Sequence, residues 1–137
     1  MAECGCKKKV RLRNVVLGSG HLALIMPVAA KDKDEVVALT KEFAPHDPDI
    51  LEWRVDYFEE VENLPVLLET AKLLRKTVGD KAVMVTPRHK EENGVRDIKP
   101  EKKKEILFAL TWWMWRCVTE RCTSKVSVRN VRNTEWL

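Results

Sequence analysis

The order of apolar and punctuating residues predicts an α/β protein, a small hairpin followed by strand–helix–strand–helix–strand–helix. Three observations carry this. Apolar-rich segments of strand length lie at residues 21–28, 49–55 and 81–86. Longer segments with apolar residues at helical spacing alternate with them. Each helical segment is bounded by residues that start or stop helices. Connections of this kind force parallel strands with helices packed outside them.

Arg11 to Leu17 reads as a short strand, with Gly18-Ser-Gly20 as its turn. His21 to Val28 is an apolar run between turn residues, which predicts a strand buried on both faces. Asp32 or Asp34 is placed to cap a helix carrying Val36, Val37, Leu39, Thr40 and Phe43 on one side. Pro45 and Pro48 stop that helix near Ala44. Asp49 to Val55 is the second strand. Pro65 suits the first residue of a second helix, with Val66, Leu67, Ala71, Leu74 and Val78 inward and Gly79 ending it. Lys81 to Thr86 is the third strand, and Pro100 opens a third helix through Ile106, Leu107, Leu110 and Met114.

The chain has 137 residues, 34% charged and 45% hydrophobic, with 5 glycines and 6 prolines. That suits one globular domain and excludes collagen-like and low-complexity classes. The apolar run at 23–30 is too short to span a membrane, and the charged segment 1–9 lacks the apolar stretch of a secretory signal. A cytoplasmic location is therefore expected, with no membrane partner. Net charge is +4, unevenly spread. The basic segment 1–13 holds five cations against Glu3, and residues 106–137 hold five against Glu120 and Glu135. Such ends are solvated or contact nucleic acid, and the first reading is preferred. Cys4/Cys6 and Cys117/Cys122 lack zinc-knuckle spacing and have no neighbouring histidine, so neither a metal nor another cofactor is expected.

In parallel α/β folds, reactive residues gather at the carboxyl ends of the strands. Glu52, Arg54 and Asp56 alternate along the second strand and would share one face. Three charges on an otherwise apolar strand need partners, because an unpaired buried ion costs several kcal/mol. They form either a structural ion-pair network or a cradle for a polar ligand. The third strand ends in Arg88, followed by Glu91 and Glu92, which repeats the theme and favours a polyhydroxylated or anionic small molecule.

Ile50-Leu-Glu-Trp-Arg-Val-Asp-Tyr-Phe58 closely resembles the second-strand motif of type I 3-dehydroquinate dehydratase, the Schiff-base class of the shikimate pathway. Its neighbours agree in order. Arg13-Asn-Val-Val-Leu-Gly-Ser-Gly20 resembles the family's opening hairpin, and Ala30-Lys-Asp32 follows the first strand as the family's does. Asp56 to Leu74 resembles the second loop and helix. Val85-Thr-Pro-Arg-His-Lys-Glu-Glu-Asn-Gly94 resembles the third-strand motif. The likeness covers residue 11 to about Glu105. It implies part of a (β/α)8 (TIM) barrel, about three βα units after a hairpin, since a complete barrel takes about 250 residues. Residues 14–105 would then be a partial barrel domain.

The resemblance implies a lyase that converts 3-dehydroquinate to 3-dehydroshikimate and water through a lysine imine, an electron sink for the carbanion left beside it. Glu52, Trp53, Arg54 and Arg88 would bind substrate, with Asp56 and Glu92 supporting. The forked donors of arginine suit hydroxyls and negative charge better than lysine does. The family's histidine and imine lysine would come from strands this chain does not reach, so it supplies no catalytic residue and turnover alone is not expected. His89 lies in a loop, and Lys90, Lys99 and Lys102 to Lys104 lie in polar contexts.

Some residues depart from the family pattern. Pro27 stands where some members place a serine, Pro87 replaces an aromatic in a strand expected to be central, and Asn93 replaces a glycine. After about Glu105 the likeness fails, and residues 106–137 hold four of the five tryptophans. This tail reads as a frame-change product, or else as a divergent helix with an aromatic face. Three functions are carried forward. The first is a truncated dehydratase. The second is a non-catalytic fragment that pairs its open sheet edge with a complementary C-terminal half or another copy. The third, least favoured, is a nucleic-acid binder using the tail tryptophans.

Overall fold

The computed structural model describes the backbone of residues 9–119 and the side chains of residues 9–112. Two short strands, β1 (Val10–Leu12) and β2 (Val15–Leu17), pair antiparallel. Three βα units follow: β3 (Ile25–Val28) and α1 (Lys33–Phe43), β4 (Ile50–Trp53) and α2 (Leu64–Val78), β5 (Ala82–Val85) and α3 (Pro100–Thr119). The second sheet is wholly parallel, in the order β3-β4-β5.

Local chemistry accounts for the boundaries. Asp32 is the N-cap of α1, its carboxylate accepting the Glu35 N–H at 2.9 Å, while the Glu35 carboxylate accepts the Lys31 N–H at 2.7 Å. This reciprocal arrangement satisfies donors that a helix start otherwise leaves unpaired. α2 begins at Leu64, one residue before the expected Pro65, which still lies in the first turn where its missing N–H costs nothing. Gly79 ends that helix at φ 63°.

Parallel pairing puts β3, β4 and β5 in register as four cross-strand rows. Met26, Leu51 and Val83 form one row, and Val28, Trp53 and Val85 another. These two rows face the helices and join the main core with Val36, Phe58, Leu67, Leu74, Ile98, Ile106 and Leu110. On the opposite face, Ile50 and Ala82 are closed over by Val15 of the hairpin.

Three expectations are corrected here. The hairpin turns at Arg13, in left-handed backbone at φ 54°, so Arg11 to Leu17 is two strands and not one. The first strand begins at Ile25 rather than His21, and it is buried on one face only: on the other side the hairpin packs against Ile50 and Ala82 and leaves Ile25 and Pro27 exposed. Pro87 lies beyond the end of β5, so it removes no hydrogen bond from a central strand. By contrast, Asn93 takes the left-handed conformation allowed for it, at φ 64°.

Helix α3 passes through residue 105 without a break. The readings offered for the tail beyond Thr119, for Cys4, Cys6 and Cys122, and for most of the basic head fall outside the described residues. No helix among the described residues is long and apolar enough to cross a membrane, and no group of three or more metal-ligating side chains is found among them.

Candidate functional site

Backbone bonds align the carboxyl ends of the three parallel strands. The Arg54 N–H donates to the Val28 carbonyl at 3.0 Å, and the Thr86 N–H donates to the Trp53 carbonyl at 3.0 Å. Arg54 and the segment leading to Arg88 therefore leave the sheet on the same edge, where parallel α/β folds place their chemistry.

Of the three charges expected to share a strand face, only Glu52 lies within β4. Arg54 and Asp56 follow it and bind each other. Arg54 Nε donates to Asp56 Oδ1 at 2.8 Å, and Nη2 donates to Oδ2 at 2.7 Å, a two-pronged contact with Asp56 fully buried. Asp56 Oδ2 also accepts the Val95 N–H at 3.2 Å, which ties the loop after β5 to the end of β4. The Arg54 guanidinium lies 5.0 Å from the centre of the Tyr57 ring. Burial pushes the Asp56 carboxyl up, but the hydrogen bonds from Arg54 and Val95 and the Arg54 charge outweigh it and hold the group below the usual carboxylate range. Arg54 is raised above its ordinary value, mainly by the hydrogen bond to Asp56.

The ion-pair reading thus holds for Arg54 and Asp56. Asp56 takes two of the guanidinium donors, and the half-buried Glu52, whose side chain has no hydrogen-bond partner among the described residues, adds negative charge to the surroundings of Arg54. Arg88 and Glu92 are exposed at the neighbouring strand end, and no hydrogen bond or ion pair of their side chains forms among the described residues.

Trp53 leaves the candidate set. Alternation along β4 turns it to the helix side, where it is 1% exposed and meets Phe58 edge-on with ring centres 5.9 Å apart. It cannot touch a ligand held on the Glu52 side. His89 acts locally, its Nδ1 accepting the Glu91 N–H at 3.3 Å at the start of the short turn Lys90–Glu92. The roles of Tyr57 and of the Val95 amide are additions from the structure. A ring three residues after Arg54 in a turn was the only sequence signal for the first, and no side-chain pattern marks the second. A cleft lined by Glu59, Glu60, Glu62, Arg96 and Asp97 contains none of the expected site residues.

Gly94 shapes the loop that carries Arg88. A Cβ there would stand 2.3 Å from the Arg88 carbonyl oxygen and 2.6 Å from that of His89. Gly94→Ala is expected to displace this backbone and cost about 1–3 kcal/mol. Urea unfolding reads the loss, and amide shifts confined to residues 88–95 would locate it.

Against known proteins, the profile of the type I 3-dehydroquinase family matches residues 24–118. The chain belongs to the type I 3-dehydroquinase family. The 3-dehydroquinate dehydratase of Clostridioides difficile strain 630 is 35% identical over 104 residues, covering 73% of this chain and 41% of that relative. The enzyme of that name from Escherichia coli O17:K52:H18 is 35% identical over 94 residues, covering 69% and 37%. Among solved structures, 3-dehydroquinate dehydratase from Geobacillus kaustophilus superposes with a TM-score of 0.72 at 27% identity, over 76% of this chain and 41% of that one. The type I enzyme from Clostridium difficile, solved with covalently modified comenic acid, gives 0.71 at 32% identity, over 73% and 40%. The chain thus spans about two fifths of the relatives it matches, and its fold is a partial TIM barrel. The type I 3-dehydroquinase match runs past Glu105, where the likeness was expected to fail, and covers most of α3.

Proposed function

We propose that this chain is the substrate-cradle portion of a type I 3-dehydroquinate dehydratase, a cytoplasmic carbon–oxygen lyase of the shikimate pathway. The observation that carries this is the Arg54–Asp56 pair at the carboxyl end of the central strand, with Glu52 beneath it in a chain of this family. In this reading Asp56 holds the Arg54 fork still, leaving its remaining donors for substrate hydroxyls. Arg88 adds a second cation from the next strand end, and Glu92 supports it. Glu52 accepts from a hydroxyl or orients a neighbouring proton carrier. An arginine held in place before the ligand arrives loses little conformational freedom on binding it. Trp53 contributes by packing alone.

The imine chemistry needs a lysine nucleophile and a proton-transferring histidine, and the resemblance assigns both to strands outside this chain. Incubation with 3-dehydroquinate and borohydride is therefore expected to leave the mass of the chain unchanged. Ultraviolet absorbance from the conjugated enone of 3-dehydroshikimate should not rise. A trapped adduct would overturn this division of labour and make one of the lysines here the nucleophile. Weak 3-dehydroquinate binding that Arg54→Gln abolishes would support the cradle, and binding unaffected by both Arg54→Gln and Arg88→Gln would refute it.

A further inference from the structure

The turn that leaves β4 brings a ring back onto the arginine that opens it. The Tyr57 N–H donates to the Arg54 carbonyl at 3.2 Å, which closes residues 54–57 into a turn and sets its first and last side chains beside each other. The backbone around Tyr57 is held on both sides. Asp56 before it and Phe58 after it are buried, Phe58 meets the Trp53 ring, and the Glu59 N–H donates to the Lys31 carbonyl at 2.8 Å. Tyr57 is half-buried and is the one tyrosine of the chain, and the Arg54 guanidinium carbon lies over its ring, 5.0 Å from the centre. Its hydroxyl forms no hydrogen bond among the described residues, so the ring face and not the hydroxyl meets Arg54.

We propose that Tyr57 is a positioning residue for the substrate-binding fork of Arg54, a role that rests on the functional reading above. Two parallel bonds to Asp56 fix where the guanidinium lies but leave it able to hinge out of the plane of the carboxylate. A ring packed on its face blocks that hinge on one side, and the attraction of the π face for a cation opposes swinging away on the other. The donors left over are the two Nη1 protons and the second Nη2 proton, in the same plane as the two that Asp56 takes. With one face covered by the ring, the guanidinium meets hydroxyl or carboxylate oxygens edge-on. An aliphatic side chain at position 57 would fill part of the same space without a negative face, so bulk and ring can be told apart.

The test follows exchange of the Arg54 Nε–H with water by heteronuclear NMR in the full 137-residue chain. Tyr57→Leu is expected to speed that exchange about threefold or more, and Tyr57→Phe to leave it near the parent rate. Neither should alter exchange of the Val95 amide, which donates to the same carboxylate. An unchanged Nε–H in Tyr57→Leu overturns the proposal. So does equal acceleration at Nε–H and Val95, which would mean that the ring merely holds the turn together. A phenylalanine variant as fast as the leucine one overturns it too, by assigning the effect to the hydroxyl. Should Tyr57→Leu not fold, a tyrosine fluorinated on both sides of its hydroxyl enters at position 57 alone. In mildly acidic buffer it weakens the ring face with little change of shape, and the same acceleration is expected, its absence again overturning the proposal. Binding of 3-dehydroquinate is read separately and should weaken about threefold or more in Tyr57→Leu, and binding indifferent to that change removes the positioning role. A parent chain that binds no 3-dehydroquinate but shows the expected exchange pattern refutes the functional reading and leaves the hold of Tyr57 on Arg54 standing.

Discussion

Asp56→Ala is expected to destabilise the chain by about 3–5 kcal/mol, the cost of removing one partner from a buried ion pair. The large value follows from what is left behind. Arg54 has a side chain only 10% exposed and would keep its charge with no carboxylate beside it. The Val95 N–H would lose its acceptor as well. Arg54→Met with Asp56→Leu should cost much less, since no charge is then stranded. Urea unfolding of the three proteins decides this: equal losses for the single and the double change would mean that the pair contributes packing and not charge. The same pair sets a pH dependence. Because Asp56 titrates lower in the folded chain than in the unfolded one, its contribution is complete above the unfolded value of about 3.9 and is lost as pH falls through the folded value. Asp56→Asn should remove that part of the acid sensitivity.

Trp53→Ala is expected to cost about 3–5 kcal/mol, comparable with the whole stability of many small domains. The indole sits at the centre of the main core with Phe58 against its edge, so truncation opens a cavity bounded by the sheet and the helices. Trp53→Phe should be far milder. The indole N–H is buried without a partner among the described residues, so phenylalanine forfeits area but no hydrogen bond. Thermal and urea unfolding separate the two variants. Should Trp53→Phe abolish 3-dehydroquinate binding while leaving stability intact, the ring would belong to the site after all.

The elements were legible because their signals are local. Asp32 before a helical stripe, Pro65 in a first turn and Gly79 at a helix end act through neighbours in the chain, and the structure uses all three. Apolar content predicts strands two to four residues longer than the paired segments, since it does not mark where pairing stops. The first turn was missed because Arg13 and Asn14 lack the glycine that advertises one. At the site, Glu52, Arg54 and Asp56 were visible as charges in an apolar strand. Their pairing was not, because Arg54 and Asp56 meet only after the strand has ended and the chain has begun to turn.

By itself, then, the sequence determined the α/β class, the order of the βα units and the family, through periodicity, capping and motif spacing. Only the tertiary structure decided which faces those motifs occupy. It put Trp53 in the core, because alternate residues of a strand point to opposite sides and the helices cover only one of them. It gave Asp56 to Arg54 and Val95 together, because desolvation leaves a buried carboxylate stable only where donors from separate segments converge on it.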